Sequence, residues 1–166
     1  MDFKNLEIHS IKSCSARQAR ISECSFTDSE IQSCFMDYTR ILGSRWGSAS
    51  FKQMFMEKSL FDDVNLNDSS FLNLALLNTV FDSCTLNGSK FKKLAMTDSE
   101  FHSANLGGTK FFAADLRNVE IGEDCELEGM TINGISVVEM LKLYKEKQGA
   151  EKNFSSEKDV KEQKQE

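Results

Sequence analysis

A large apolar residue recurs at every fifth position through the middle of this chain: Phe61, Leu66, Phe71, Leu76, Phe81, Leu86, Phe91, Met96, Phe101, Leu106, Phe111 and Leu116. Two residues before each stands a smaller, mostly uncharged partner, as in Ser59, Val64, Ser69, Leu74, Thr79 and Cys84. Five residues of α-helix turn the chain through roughly 500°, about 140° net, which would spread the apolar groups around the whole cylinder. In a straight strand the same odd period would throw successive large residues onto opposite faces. The pattern therefore predicts short extended pieces, each followed by a bend, that keep both apolar positions pointing inward while the chain coils about an axis.

From Phe61 to Leu116 the large position alternates between Phe and Leu or Met. A three-sided coil would mix the two kinds in every column, and a two-sided coil would leave no room for Phe rings from both walls. Four sides of five residues enclose a square that such rings can fill. They place Phe51, Phe71, Phe91 and Phe111 in one column and Leu66, Leu86 and Leu106 in another. Upstream the beat continues less purely through Ile11, Ala16, Ile21, Phe26, Ile31, Met36, Ile41, Trp46, Phe51 and Met56. Counted from Leu6 to Ile121, the units make six coils and a rod of about 29 Å at a strand spacing of ~4.8 Å. The absence of proline agrees with a ladder that uses every backbone donor.

Ala104-Asn105-Leu106-Gly107-Gly108 and Ala114-Asp115-Leu116-Arg117-Asn118 carry a loose A(D/N)LXX motif, with degenerate copies elsewhere. On these residues most of the chain resembles the pentapeptide-repeat family. The resemblance implies an all-β solenoid, a right-handed quadrilateral parallel β-helix. It also implies a mode of action, because the family members whose activity is understood bind DNA gyrase or topoisomerase IV. Their rod shape and negative surface resemble B-form DNA, and they protect the enzyme from quinolones or peptide toxins. The projecting loops of the plasmid-borne quinolone-resistance members have no counterpart in the unbroken register of this chain.

One domain is expected, divided along its length. Residues 1–10 fit the beat poorly, since Phe3, Leu6, Ile8 and Ile11 fall on two phases and Lys4 and His9 take inward positions; an irregular amino-terminal side or cap is predicted there. The repeat fills 11–134, with a one-residue slip at Gly122-Glu123-Asp124 that makes Cys125/Leu127 and Met130/Ile132 the next inward pairs. Asn133-Gly134 reads as a turn. Ser136 and Glu139 match a capping box, opening a helix within 135–147 whose apolar side is Val137, Val138, Met140, Leu141 and Tyr144. That helix is expected to cover the open end of the coil or, on the family's pattern, to dimerise the chain. The polar segment 148–166 is expected to be disordered.

Chemistry adds little to this picture. Cys14, Cys24, Cys34, Cys84 and Cys125 all fall on the small inward position, where free cysteine acts as a compact buried hydrophobe, and their spacing matches no zinc site. His9 and His102 have no ligand cluster or triad partner. With no phosphate-binding glycine loop and no catalytic acid pair, the expectation is a non-enzyme with no catalytic residues, metal or cofactor. No apolar run reaches the length of a membrane span, and Met1-Asp2-Phe3-Lys4 does not open a secretory signal, so a cytoplasmic protein is expected.

The surface says more. Net charge is −6, but between Met1 and Ile121 the acids outnumber the bases by only two, thin for a duplex mimic. Asp62, Asp63, Asp68 and Asp82 concentrate acid in the middle coils, with Asp62 and Asp82 stacked one coil apart. Phe35, Phe55 and Leu60 point outward, and with the acids they form the candidate contact surface for a basic protein partner. A type II topoisomerase is the partner that the resemblance implies; neither nucleic acid nor membrane is expected to bind directly. The alternative is a scaffold that self-associates through the terminal helix or the last coil.

Overall fold

The computed structural model describes residues 2–148; apart from Gln148, which is helical, the expected polar tail lies outside them. The chain is a parallel β-solenoid of about seven turns followed by one helix. Two sheets form opposite walls. Wall I has seven strands, from Asp2–Lys4 through Leu60–Asp62, Val80–Asp82 and Glu100–His102 to Glu120–Ile121. Wall II has eight, from Ser10–Lys12 through Lys90–Lys92 and Lys110–Phe112 to Ile135–Ser136. The other two sides are ladders of single bridges, Ser15 to Phe35 to Phe55 to Ala75 on one and Arg45 to Asn65 to Thr85 to Asn105 on the other. Four columns of contacts spaced by twenty residues are what the Phe/Leu alternation requires.

Inside, the expected aromatic columns are present. Phe51, Phe71, Phe91 and Phe111 stack with centroids 4.4–4.7 Å apart, and Phe61, Phe81 and Phe101 stack at 4.7 and 4.8 Å from the facing wall. The large residues from Phe61 to Phe111 are buried, but Leu116 is only partly so, because no further coil stacks above it. Trp46, on a bridge side, stacks on Phe51 at 5.3 Å and meets Phe26 at 4.3 Å.

The corners are uniform in backbone and varied in sequence. Two residues after each large position the chain enters the left-handed region, at Asp63, Asp68, Asn73, Asn78, Lys58 and Ala113 among others. On the bridge sides the corner closes with a hydrogen bond to the large residue, as in Ser69 N–H to Leu66 O at 3.2 Å and Ser89 N–H to Leu86 O at 3.0 Å. Positive φ at the third residue makes these type II turns.

Both ends depart from the regular coil. The amino-terminal residues enter the coil, with Asp2–Lys4 paired to Arg20–Ser22, while Leu6, the start of the expected count, is 40% exposed. Phe3 and Ile8 take the inward places instead. Phe3 opposes Ile21 and Ile11 opposes Ile31, so the first turn is two residues shorter than the rest. At the other end the slip occurs where predicted: Phe101 pairs with Ile121, yet Asn105 pairs with Glu126 and Phe111 with Ile132. Gly122 stands at the slip, where a Cβ would lie 3.2 Å from the Phe101 carbonyl. Asn133 (φ 49°) and Gly134 (φ 83°) then make a type I′ turn that pairs Thr131–Ile132 antiparallel with Ile135–Ser136.

The helix spans 137–148, and its Glu139 N–H donates to Ser136 Oγ at 3.3 Å. Only Val137 joins the core; Val138, Met140, Leu141, Leu143 and Tyr144 are exposed among the described residues. The hairpin occupies the last edge of wall II, so the helix covers the coil end only through its first residue.

Candidate interaction surface

The inward small positions are the first feature with a chemistry of their own. Nine of them, among them Ser59, Ser69, Thr79, Ser89 and Ser99, are buried hydroxyls. Each is placed to bridge coils. Ser89 Oγ donates to Leu66 O at 2.6 Å and accepts from Ser69 N–H at 3.3 Å; Ser59 Oγ donates to Met36 O at 2.9 Å and accepts from Thr39 N–H at 3.1 Å. The cysteines occupy the same rung, with Cys84 Sγ donating to Phe61 O at 3.5 Å and Cys34 Sγ accepting from Cys14 N–H at 3.4 Å. All five thiols are free. Burial, reinforced by Cys34, pushes Cys14 up to about 12. Burial, with the charges of Asp62, Asp82 and Asp63 adding to it, pushes Cys84 up to about 12. Thiols held protonated in this way are poor nucleophiles and poor metal ligands, and no group of three or more candidate metal ligands occurs among the described residues.

On the outside, the candidate residues divide among the sides. Leu60, Asp62 and Asp82 lie on wall I, with Asp63 at its corner; Leu60 is in register with Val80, and Asp62 with Asp82. The next residue in that column is His102, which faces Asp82 across the ladder. Its Nε2 lies 2.8 Å from Glu100 Oε2, and this hydrogen bond raises the imidazole above its ordinary value. Asp68 does not join the others. It sits at the corner between the Asn65 bridge side and wall II. Phe35 and Phe55 stack at 5.1 Å and 9° on the bridge side opposite Asn65, 41% and 46% exposed, with the Arg17 guanidinium 4.9 Å over the Phe35 ring and 3.2 Å from Asp37.

Sequence reasoning missed how charge segregates between the two walls. The carboxy-terminal half of wall I carries Asp62, Asp82, Glu100 and Glu120 on its strands and Asp63 and Glu123 at the corner that follows them, with no Lys or Arg on a strand beyond Arg40; Lys58 stands at the preceding corner. Wall II, on the opposite side, carries Lys12, Lys52, Lys90, Lys92 and Lys110 on its strands against the single strand acid Glu30, with Lys93 at a following corner and Asp28 and Asp68 at preceding ones. Glu30 is already held by Lys12 at 3.2 Å and Lys52 at 2.8 Å. Lys90, Lys92, Lys93 and Lys110 are exposed and make no ion pair among the described residues. The near-zero balance of the coil is thus a cancellation between faces. Sorting the charges by a period of twenty would have revealed it.

A cavity of about 510 Å³ opens at the amino-terminal end of the core, lined by Phe3, Ile8, Ile11, Cys14, Phe26 and Met36. Its apolar lining is the unstacked end of the coil. No helix among the described residues is long and apolar enough to cross a membrane.

A family model described as a pentapeptide repeat region matches residues 44–136, more than half of the chain. No curated protein matches it. Among solved structures, similarity extends to QnrB1, a plasmid-mediated fluoroquinolone resistance protein, at 13% identity over 90% of this chain and 100% of that one, TM-score 0.37. It extends also to HetL, involved in heterocyst differentiation regulation in Nostoc sp. strain PCC 7120, at 12% identity over 80% of this chain and 91% of that one, TM-score 0.33. Rfr23 from Cyanothece 51142 shares 12% identity over 75% and 88%, TM-score 0.25.

Proposed function

This chain belongs to the pentapeptide-repeat family, and on that premise we propose that it is a non-catalytic binding module that works through protein–protein contact. The observation that carries this reading is the acidic half of wall I. There Asp62 and Asp82, with Asp63 at the corner, lie beside outward Leu60 and Val80 on one ladder. Aligned carboxylates of this kind draw a basic partner by long-range attraction, and the apolar centre supplies contact once it is docked. The DNA-binding surface of a type II topoisomerase is such a partner. The resemblance to B-form DNA is one-sided here, because the opposite wall is basic; the topoisomerase contact is made by wall I alone.

Gyrase supercoiling with and without a quinolone, repeated with an Asp62→Lys, Asp63→Lys, Asp82→Lys variant, tests this. The expected outcome is inhibition or drug protection by the native chain, lost in the variant while the melting profile is kept. No effect of the native chain at large excess removes the topoisomerase reading. A second reading, a self-associating scaffold, is favoured by the terminal helix, where Val138, Leu141 and Tyr144 stand exposed.

A further inference from the structure

The two charged walls of this molecule complement each other. Lys90, Lys92, Lys93 and Lys110 lie at nearly the same height along the rod as Asp82, Glu100 and Glu120, since the strands of the two walls alternate along one continuous coil. Both walls repeat at the same strand spacing of ~4.8 Å, so a column of lysines on one face matches a column of carboxylates on the other without stretch. Each face also has an apolar centre. On wall II, Leu72 and Phe112 flank Lys92 in register; on wall I, Leu42, Leu60 and Val80 lie beside Asp62 and Asp82.

We propose that wall II of one copy docks laterally on wall I of a second copy, with the rod axes parallel. The parallel arrangement follows from the charge distribution. Reversing one rod would set the lysines against the amino-terminal half of wall I, where Lys4, Arg20 and Arg40 outnumber Asp2 and the corner Glu23, which pairs with Lys4 at 3.2 Å. A contact between two different faces leaves one free face of each kind at the ends of every assembly, so association is open-ended and does not stop at two. Charges at exposed faces are screened beyond about 10 Å at 0.1 M salt, so the assembly weakens as salt rises. The reading stands apart from the topoisomerase proposal, although the two compete for wall I.

The test is the mass of the full chain in solution, measured by light scattering over a range of concentrations at low ionic strength and again at roughly 0.5 M salt. The expected result is a mean mass that climbs past twice the monomer mass of 18.8 kDa at low salt and returns to it at high salt. Two neutralised variants sharpen this. One replaces Lys90→Gln, Lys92→Gln and Lys110→Gln; the other replaces Asp62→Asn, Asp82→Asn and Glu100→Gln. Each alone is expected to stay monomeric with an unchanged melting profile, whereas an equal mixture of the two forms pairs and goes no further, because each supplies the face that the other lacks. A monomer under all conditions overturns the proposal. So does a plateau at twice the monomer mass that ignores salt and both variants, which belongs to the terminal helix. Retention of a duplex DNA fragment by the native chain but not by the lysine variant also overturns it, and assigns wall II to nucleic acid instead.

Discussion

At the scale of the residue, the small inward position decides how a narrow solenoid tolerates polar atoms in its core. A buried hydroxyl without partners is costly, yet Ser89 has both a donor and an acceptor within reach, one coil away and slightly more. Ser89→Ala removes both bonds and leaves Ser69 N–H and Leu66 O only the turn bond that they share, a loss of about 0.5–1.5 kcal/mol by chemical denaturation. Ser89→Cys is expected to lose much less, because Cys84 fills the equivalent rung one side away. Equal losses for the two substitutions would mean that the rung is a matter of volume alone. The same reasoning accounts for the cysteines. Read as compact hydrophobes they are correctly placed, but their sulfurs also stand in for the hydroxyls of the ladder.

The element of this fold is one side of one coil, a piece too short to be stable by itself. Its stability comes from the columns, in which each ring is sandwiched between rings above and below. Phe81 lies 4.7 Å from Phe61 and 4.8 Å from Phe101 and has no exposed surface. Phe81→Ala is expected to cost about 3–5 kcal/mol, since the backbone ladder prevents the column from closing over the hole. Asp82→Ala, next to it but outward, is expected to change stability by less than about 0.5 kcal/mol, and it relieves the repulsion from Asp62. Similar losses for the two would contradict the inward and outward assignment. The corners behave in the opposite way: left-handed geometry is imposed on Lys58, Tyr38 and Ala113 alike, against their own preference, because the neighbouring coils hold the turn.

Across the whole molecule, contacts run only between adjacent coils, so the two ends have half the support of the middle. Phe3, Ile8 and Ile11 at one end, and Leu116, Ile121 and Ile132 at the other, are only partly buried, while the large residues from Ile31 to Phe111 are covered. Amide hydrogen exchange is therefore expected to show greatest protection in the strands between Glu30–Gln32 and Lys110–Phe112 and a fall toward both ends; uniform protection along the rod would contradict a coil stabilised by its neighbours. Charge is also a property of this scale. Residues far apart in the chain meet on one wall because the coil brings every twentieth position into line, and it is the wall, not the segment, that a partner meets.

The five-residue beat by itself determined the coil, its four sides, the inward columns, the slip after Ile121 and the helix start at Ser136, because each follows from local periodicity or from a short motif that repeats or breaks in plain view. The acidic cluster was equally legible where its members are close in sequence, as at Asp62 and Asp63. Only the tertiary structure decided that Asp68 faces elsewhere, that Phe3 displaces Leu6 in a first turn two residues short, and that the helix leaves most of its apolar side uncovered. It also decided that the lysines gather on one wall opposite the acids. These depend on which residues the coil brings together over twenty positions and on how the ends close, and neither is a property of any one repeat.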